Sequence, residues 1–128
     1  MLHEELSGKI LNVFFHVYNT LGHGFLEKVY ENALAIELRK RNIGFEQQKR
    51  IEVWYEEFKV GDYFADLSVE KCVVLELKAA EAIAPEHEAQ LINYLKATDM
   101  ELGFVLNFGT KPQFIRRILT NDRKRDHG

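Results

Sequence analysis

The sequence predicts an α/β domain in which helices flank a mixed sheet, and three observations support this prediction. Apolar residues recur at spacings of three and four through the first third of the chain, which is typical of amphipathic helices. From about residue 45 they alternate with polar residues and then form short apolar runs, which is typical of strands. A later helical stretch separates two of these runs. Those two strands should therefore be parallel and joined by a right-handed crossover.

Two helices open the chain. The first, over residues 4–20, carries an apolar face made of Leu6, Ile10, Val13, Val17 and Leu21. Gly22-His23-Gly24 interrupts the pattern, and a second helix then runs from about Phe25 to Arg41. Basic residues at its end suit the negative end of the helix dipole.

The sheet follows. Three strands with short connections should form an antiparallel meander, and they are predicted at residues 45–55, 62–69 and 72–78, with a turn over 56–61. A helix from Pro85 to about Thr98 leads to a fourth strand, Leu102–Phe108. The segment Phe114–Leu119 fits either a fifth strand or a short helix. The predicted order is therefore one helix, then αβββαβ, then this undecided last element.

Length and composition indicate one domain over residues 1–128, ending in a basic tail at about 120–128 that is expected to lack fixed structure. No apolar run approaches the roughly 18 residues of a membrane span, and the acidic start does not resemble a signal peptide. The single cysteine, Cys72, cannot form an internal disulfide. A cytoplasmic protein that does not enter a membrane is therefore expected.

The most informative segment is Val73-Val74-Leu75-Glu76-Leu77-Lys78, which has the apolar character of a strand buried on both faces. Glu76 and Lys78 are two apart, so they share one face of that strand. A charge in a buried strand is costly unless it is paired or binds a metal. The alternative interpretation is an exposed strand on which Glu76 and Lys78 form a surface salt bridge.

The preceding strand supplies a second carboxylate, Asp66. If Glu70-Lys71-Cys72 is the turn, Val69 lies opposite Val73, and Asp66 then faces Glu76. Two facing carboxylates need a cation or a shared proton. Their oxygen atoms, with water and the backbone carbonyl of Leu77, suit Mg²⁺.

Lys78 completes a chemical hypothesis. Its ammonium group can orient an attacking water or stabilise negative charge on a phosphoryl group, and a bound metal would polarise the same group. Together these parts suit hydrolysis of a phosphodiester.

These residues resemble the PD-(D/E)XK nuclease-like superfamily, and within it the GxxExxY protein family. The namesake motif appears as Gly24-Phe25-Leu26-Glu27-Lys28-Val29-Tyr30. Two further stretches, His87–Leu95 and Leu102–Gly109, resemble the family's later helix and its following strand. The resemblance covers about residues 4–118. One departure is Ala65, which stands where the superfamily often has proline.

The resemblance implies a restriction-endonuclease-like fold and a Mg²⁺- or Mn²⁺-dependent nuclease that acts on DNA. By position, Asp66 and Glu76 would be metal ligands and Lys78 the catalytic lysine. Glu27 would be the acidic residue of the early helix and Gln90 the polar residue of the later helix. A simple alternative for Glu27 is that it complements the dipole of its helix.

Substrate contacts are predicted from Arg116, Arg117 and His87, and a homodimer would allow both strands of a duplex to be cut. Arg39-Lys40-Arg41 and Arg123-Lys124-Arg125 are further basic clusters. All of these could instead be solvated surface groups. The net charge of -3 argues against strong indiscriminate binding of nucleic acid. Two other functions therefore stay open: a non-catalytic module that binds nucleic acid or protein, and an enzyme for a small phosphorylated substrate.

Overall fold

The structure, a computed structural model, describes residues 2–124. Its helices and strands follow in the order α1 (Glu4–Leu21), α2 (Glu27–Lys40), β1 (Phe45–Tyr55), β2 (Phe58–Val69), β3 (Val73–Lys78), α3 (Pro85–Lys96), β4 (Leu102–Phe108) and β5 (Pro112–Ile118). A single-turn 3-10 helix covers Asn121–Arg123. This is the predicted α/β architecture, and the fold class is confirmed.

The five strands form one sheet in the order β1-β2-β3-β4-β5. Only β3 and β4 run parallel, as the intervening helix predicted, and the other neighbours are antiparallel. The segment that sequence left undecided is the edge strand β5. It pairs with β4 from Phe108↔Pro112 to Leu102↔Ile118. The sheet is therefore mixed, with its two most buried strands at β3 and β4.

Helices cover both faces of the sheet, because β3 and β4 are apolar on both sides. On one face, α1 and α2 pack over a core that includes Phe14, Leu34 and Phe104. On the other face, α3 packs through Leu91 and Leu95. Two helices on one side and one on the other thus enclose the central strands.

Several predicted boundaries shift. The turn after β1 is only Glu56-Glu57, with Glu56 at a φ of 54°, so β2 begins at Phe58 rather than at residue 62. The hairpin is longer than predicted because the strand pairing continues on an open surface to Trp54↔Lys59 and Tyr55↔Phe58. Helix α2 begins at Glu27 rather than Phe25, because Leu26 is extended. Of the predicted basic tail, residues 125–128 lie outside the described part of the chain.

Buried polar side chains fix the loops at the carboxyl ends of β3 and β4. Asn107 is fully buried, and its side chain accepts the Ala80 N–H and donates to the Ala80 carbonyl, both at 2.9 Å. The Tyr18 hydroxyl donates to the Gly109 carbonyl at 2.8 Å. A Cβ on Gly109 would lie 2.2 Å from the Ala80 carbonyl oxygen, so only glycine fits there. These contacts hold the chain rigidly where it leaves Lys78.

None of the helices within residues 2–124 is both long enough and apolar enough to cross a membrane.

Candidate active site

Asp66 and Glu76 lie where strands β2 and β3 stop pairing through their backbones. The ladder runs Val69↔Val73, Ser68↔Val74 and Leu67↔Leu75, which confirms the register that the turn predicted. At the next pair of residues, Asp66 and Glu76, side-chain carboxylates accept the backbone N–H groups in place of backbone carbonyls. Asp66 Oδ2 accepts the Leu77 N–H at 2.7 Å, and Glu76 Oε1 accepts the Asp66 N–H at 3.4 Å. The two carboxylates therefore interlock across adjacent strands.

Burial makes both carboxylates costly to ionise. Glu76 is 3% exposed, and this burial, followed by the negative charge of Asp66, raises its pKa to about 8. Burial also raises the pKa of Asp66, against the Leu77 N–H, which lowers it. A surface salt bridge between Glu76 and Lys78 is excluded, because Glu76 is buried in the central sheet.

Lys78 is half-buried and lies beside the two acids. Its positive charge lowers the pKa of both Asp66 and Glu76, although less than burial raises them. Its Nζ donates to Gln90 Oε1 at 3.3 Å, and Gln90 Nε2 donates to the Tyr94 hydroxyl at 2.9 Å. Burial, and then the charge of Glu76, raises the pKa of Tyr94 to about 12. Tyr94 is therefore a neutral anchor for Gln90.

The donor set fits a hard divalent cation. No ion pair among residues 2–124 involves Asp66 or Glu76, although both are largely buried. No three His, Cys, Asp or Glu side chains in the same residues are grouped to hold a metal ion. Two carboxylates are nevertheless enough for Mg²⁺, which keeps several water ligands. A cation between them would relieve the cost of burying two unpaired acids.

Helix α2 adds two acids to the neighbourhood. Glu27 is exposed in its first turn, and its charge raises the pKa of both Asp66 and Glu76. Glu31, one helical turn later, is 3% exposed and also raises the pKa of Asp66. Glu31 was not among the predicted site residues, although a residue four positions after Glu27 shares its helix face. Its spacing from Glu27 was the available signal.

Three predicted substrate contacts are engaged elsewhere. The His87 ring accepts the Ala84 N–H through Nδ1 at 3.0 Å, so it caps the start of α3. Arg116 donates to the Leu2 carbonyl, and Arg117 pairs with Glu88. The two arginines lie opposite Phe104 and Gly103 in the sheet, whereas Lys78 lies opposite Asn107. The structure thus gathers Asp66, Glu76, Lys78, Glu27 and Gln90. Arg116 and Arg117 lie away from them, whereas His87 lines the same groove as Lys78 and Gln90.

Open grooves flank the site on two sides. One, of about 980 Å³, runs along α3 and is lined by Lys78, His87 and Gln90. Another, of about 570 Å³, lies between Glu27 and the loop after β3. Asp66 and Glu76 line neither groove, and Glu76 is more deeply buried than Lys78. The open shape suits an extended ligand better than a small enclosed one.

Family membership follows from the match of this sequence to the model of a known family. The model of the PD-(D/E)XK nuclease superfamily matches residues 4–118. The chain belongs to the PD-(D/E)XK nuclease superfamily. Proteins of this superfamily generally use divalent metals. None of the curated proteins matches the chain at a significant level.

A solved structure, titled "Crystal structure of SSO0001", shares the fold. It is similar with a TM-score of 0.52 at 16% identity, over 73% of this chain and 50% of that one. The chain therefore spans about half the length of this structural relative. At such low identity, the likeness shows the fold alone.

Proposed function

We propose that this superfamily member is a metal-dependent nuclease that hydrolyses phosphodiester bonds. The observation that carries the proposal is the interlocked pair of Asp66 and Glu76. Both are largely buried without an ion-pair partner among residues 2–124, and Lys78 lies beside them. Burying two such acids costs stability. A cation bound between the two acids would offset this cost in stability.

Asp66, Glu76 and the backbone carbonyl of Leu77 would hold Mg²⁺ or Mn²⁺. A divalent cation supplies Lewis-acid polarisation of a phosphoryl oxygen and of water. The Leu77 N–H fixes the orientation of Asp66, because it donates to the oxygen Oδ2. The two acids would therefore need little rearrangement to bind the cation through their remaining lone pairs.

Lys78 would orient the attacking water or stabilise charge on the phosphoryl oxygens. Gln90 holds its ammonium group through Oε1, and Tyr94 in turn holds Gln90. Glu27, exposed at the start of α2, would accept a hydrogen bond from water at the mouth of the site. These roles need only short movements of side chains that already lie together.

The proposal extends to the branch of the superfamily, the substrate and the oligomeric state. The motif from Gly24 to Tyr30 supports the GxxExxY branch, and membership of a nuclease superfamily supports a nucleic acid as ligand. DNA is the substrate we propose. A second copy of the chain would be needed to cut both strands of a duplex at one place.

Digestion of single- and double-stranded DNA tests this proposal. We expect cleavage with Mg²⁺ or Mn²⁺ and a loss of about 100-fold or more in Lys78→Ala and in Asp66→Ala, since transition-state contacts of this kind are worth that much. Lys9→Ala is the control, because Lys9 is an exposed lysine on α1. Cleavage that survives both site changes would remove the assignment. Salt-sensitive retention of DNA without products would instead support a non-catalytic binding module.

A further inference from the structure

We propose that Glu31 is a positioning residue, which holds a kink in strand β1 that presents Asp66 to the metal site. The inference rests on the proposed function, because it assigns Asp66 a cation to bind. It concerns three residues that were not among the predicted site residues: Glu31, Gln47 and Gln48. None of them is proposed to touch the cation or the substrate.

The buried carboxylate of Glu31 accepts three hydrogen bonds within the protein. Its Oε2 accepts from Lys28 Nζ at 2.9 Å and from Gln47 Nε2 at 2.7 Å, and its Oε1 accepts from Gln48 Nε2 at 2.7 Å. Three donors on two oxygens leave little capacity for another ligand. Glu31 is therefore better suited to holding its neighbours than to binding a metal.

The two glutamines are consecutive on a strand, where side chains normally point to opposite faces. They reach the same carboxylate because Gln48 adopts a left-handed backbone with a φ of 53°. That conformation is unfavourable for a residue with a side chain. The bond from Gln48 to Glu31 supplies a compensating interaction.

The kink lies directly across from Asp66. Strand pairs are formed at Gln47↔Leu67 and at Lys49↔Ala65, but the intervening pair of Gln48 with Asp66 is not. The side-chain alternation of β2 also breaks at this point. Ala65 packs in the core under α3, whereas Leu67 packs in the core under α1 and α2. Two residues that would normally share a face thus lie on opposite sides of the sheet.

This break turns Asp66 toward β3. In a regular strand its side chain would project from one face, but here its Oδ2 lies 2.7 Å from the Leu77 nitrogen, in line with the neighbouring strand. Asp66 and Glu76 interlock as a result. Glu31 thus acts on the metal site through Gln48 and the backbone, and not by contact.

Paired substitutions at Gln48 test the inference at an exposed position, where the core is undisturbed. Glycine accepts a left-handed backbone, whereas valine opposes it. We expect affinity for Mn²⁺ to fall modestly in Gln48→Gly and by about 10-fold or more in Gln48→Val, as for residues that orient metal ligands. Glu31→Ala should resemble the valine variant. Affinity is measured by titration calorimetry.

Gln113 on β5 is the matched control, because it is an exposed strand glutamine with an ordinary backbone. There, glycine should be the more destabilising replacement and valine the better tolerated one. Neither should change affinity for Mn²⁺. A purely structural role for Gln48 would alter stability without altering affinity.

The Leu77 amide proton provides a readout that needs no metal and no cleavage. Its bond to a carboxylate should move its NMR resonance downfield, and this shift should shrink in Gln48→Val and Glu31→Ala. An unchanged Leu77 resonance together with unchanged Mn²⁺ affinity would overturn the inference. Failure of the wild-type protein to bind Mn²⁺ would instead refute the proposed metal site, while the resonance would still decide whether Glu31 positions Asp66.

Discussion

The proposed site depends on a few single residues, and the sequence allowed Asp66 and Glu76 to be paired for a simple reason. A three-residue turn fixes which residues of two adjacent strands face each other, so Asp66 and Glu76 could be paired in advance. Glu31 escaped prediction because its burial depends on Gln47 and Gln48, which come from another element. The kink at Gln48 could not be predicted either, because glutamine has no particular preference for a left-handed backbone.

At this scale, Asp66→Asn should separate stability from cation binding. Burial raises the pKa of Asp66, so its ionised form costs stability at neutral pH, while asparagine can still accept the Leu77 N–H. We expect the free energy of unfolding without metal to rise by about 1 kcal/mol. Saturating Mn²⁺, at about 100 times its dissociation constant, should add about 2.7 kcal/mol to the wild type but little to the variant. Thermal denaturation with and without Mn²⁺ measures both. Equal stabilisation of the two proteins would contradict the assignment of Asp66 as a ligand.

Secondary-structure elements were predictable in kind and order, because their hydrophobic periods are clear. The ends were less predictable. The turn after β1 is shorter than expected because Phe58 and Lys59 still pair with β1 through their backbones, and the hydrophobic pattern does not reveal such pairing. The last segment was ambiguous between helix and strand, and its pairing with β4 decides for a strand. Tertiary contacts settle such short segments, whereas local pattern does not.

Asn107 on β4 holds the loop that follows β3, so its side chain should contribute to the stability of the fold. Its side chain satisfies the N–H and the carbonyl of Ala80, just beyond Lys78. Asn107→Ala leaves both groups without these partners and opens space in the core, so we expect a loss of about 2 kcal/mol in stability. Urea denaturation measures it. Asn93→Ala on the exposed surface of α3 is the control and should lie within about 0.5 kcal/mol of the wild type. A similar small effect for Asn107→Ala would show that the loop does not depend on this side chain.

At the scale of the whole molecule, one end of the β1–β2 hairpin has no neighbouring strand within residues 2–124 besides its own partner. Strand β3 pairs with β2 only from Leu67 to Val69, so the rest of the β1–β2 hairpin extends past the central sheet. Trp54, Tyr55, Phe58 and Val60 are between 49% and 64% exposed there. The sequence could not predict this projection, because the alternation of apolar and polar residues is the same whether or not other elements cover the hairpin.

Amide hydrogen exchange should be faster in the projecting end of the hairpin than in the central strands. Amides between Trp54 and Val60 are expected to exchange on the order of 100-fold or more faster than those of Leu102–Phe108, which lie in the buried strand β4. Regions with few buried contacts open locally at low cost. Mass spectrometry of exchanged peptides would measure the difference. Uniform protection through the hairpin and β4 would show that the projection is as firmly held as the core.

The projecting hairpin also holds the chain's single tryptophan. Because Trp54 is half-exposed and lies beside the hairpin turn, its indole emission monitors the hairpin and not the buried strands. In a denaturant titration, the fluorescence transition should precede the loss of far-ultraviolet circular dichroism. Fluorescence alone would therefore make the protein look less stable than it is.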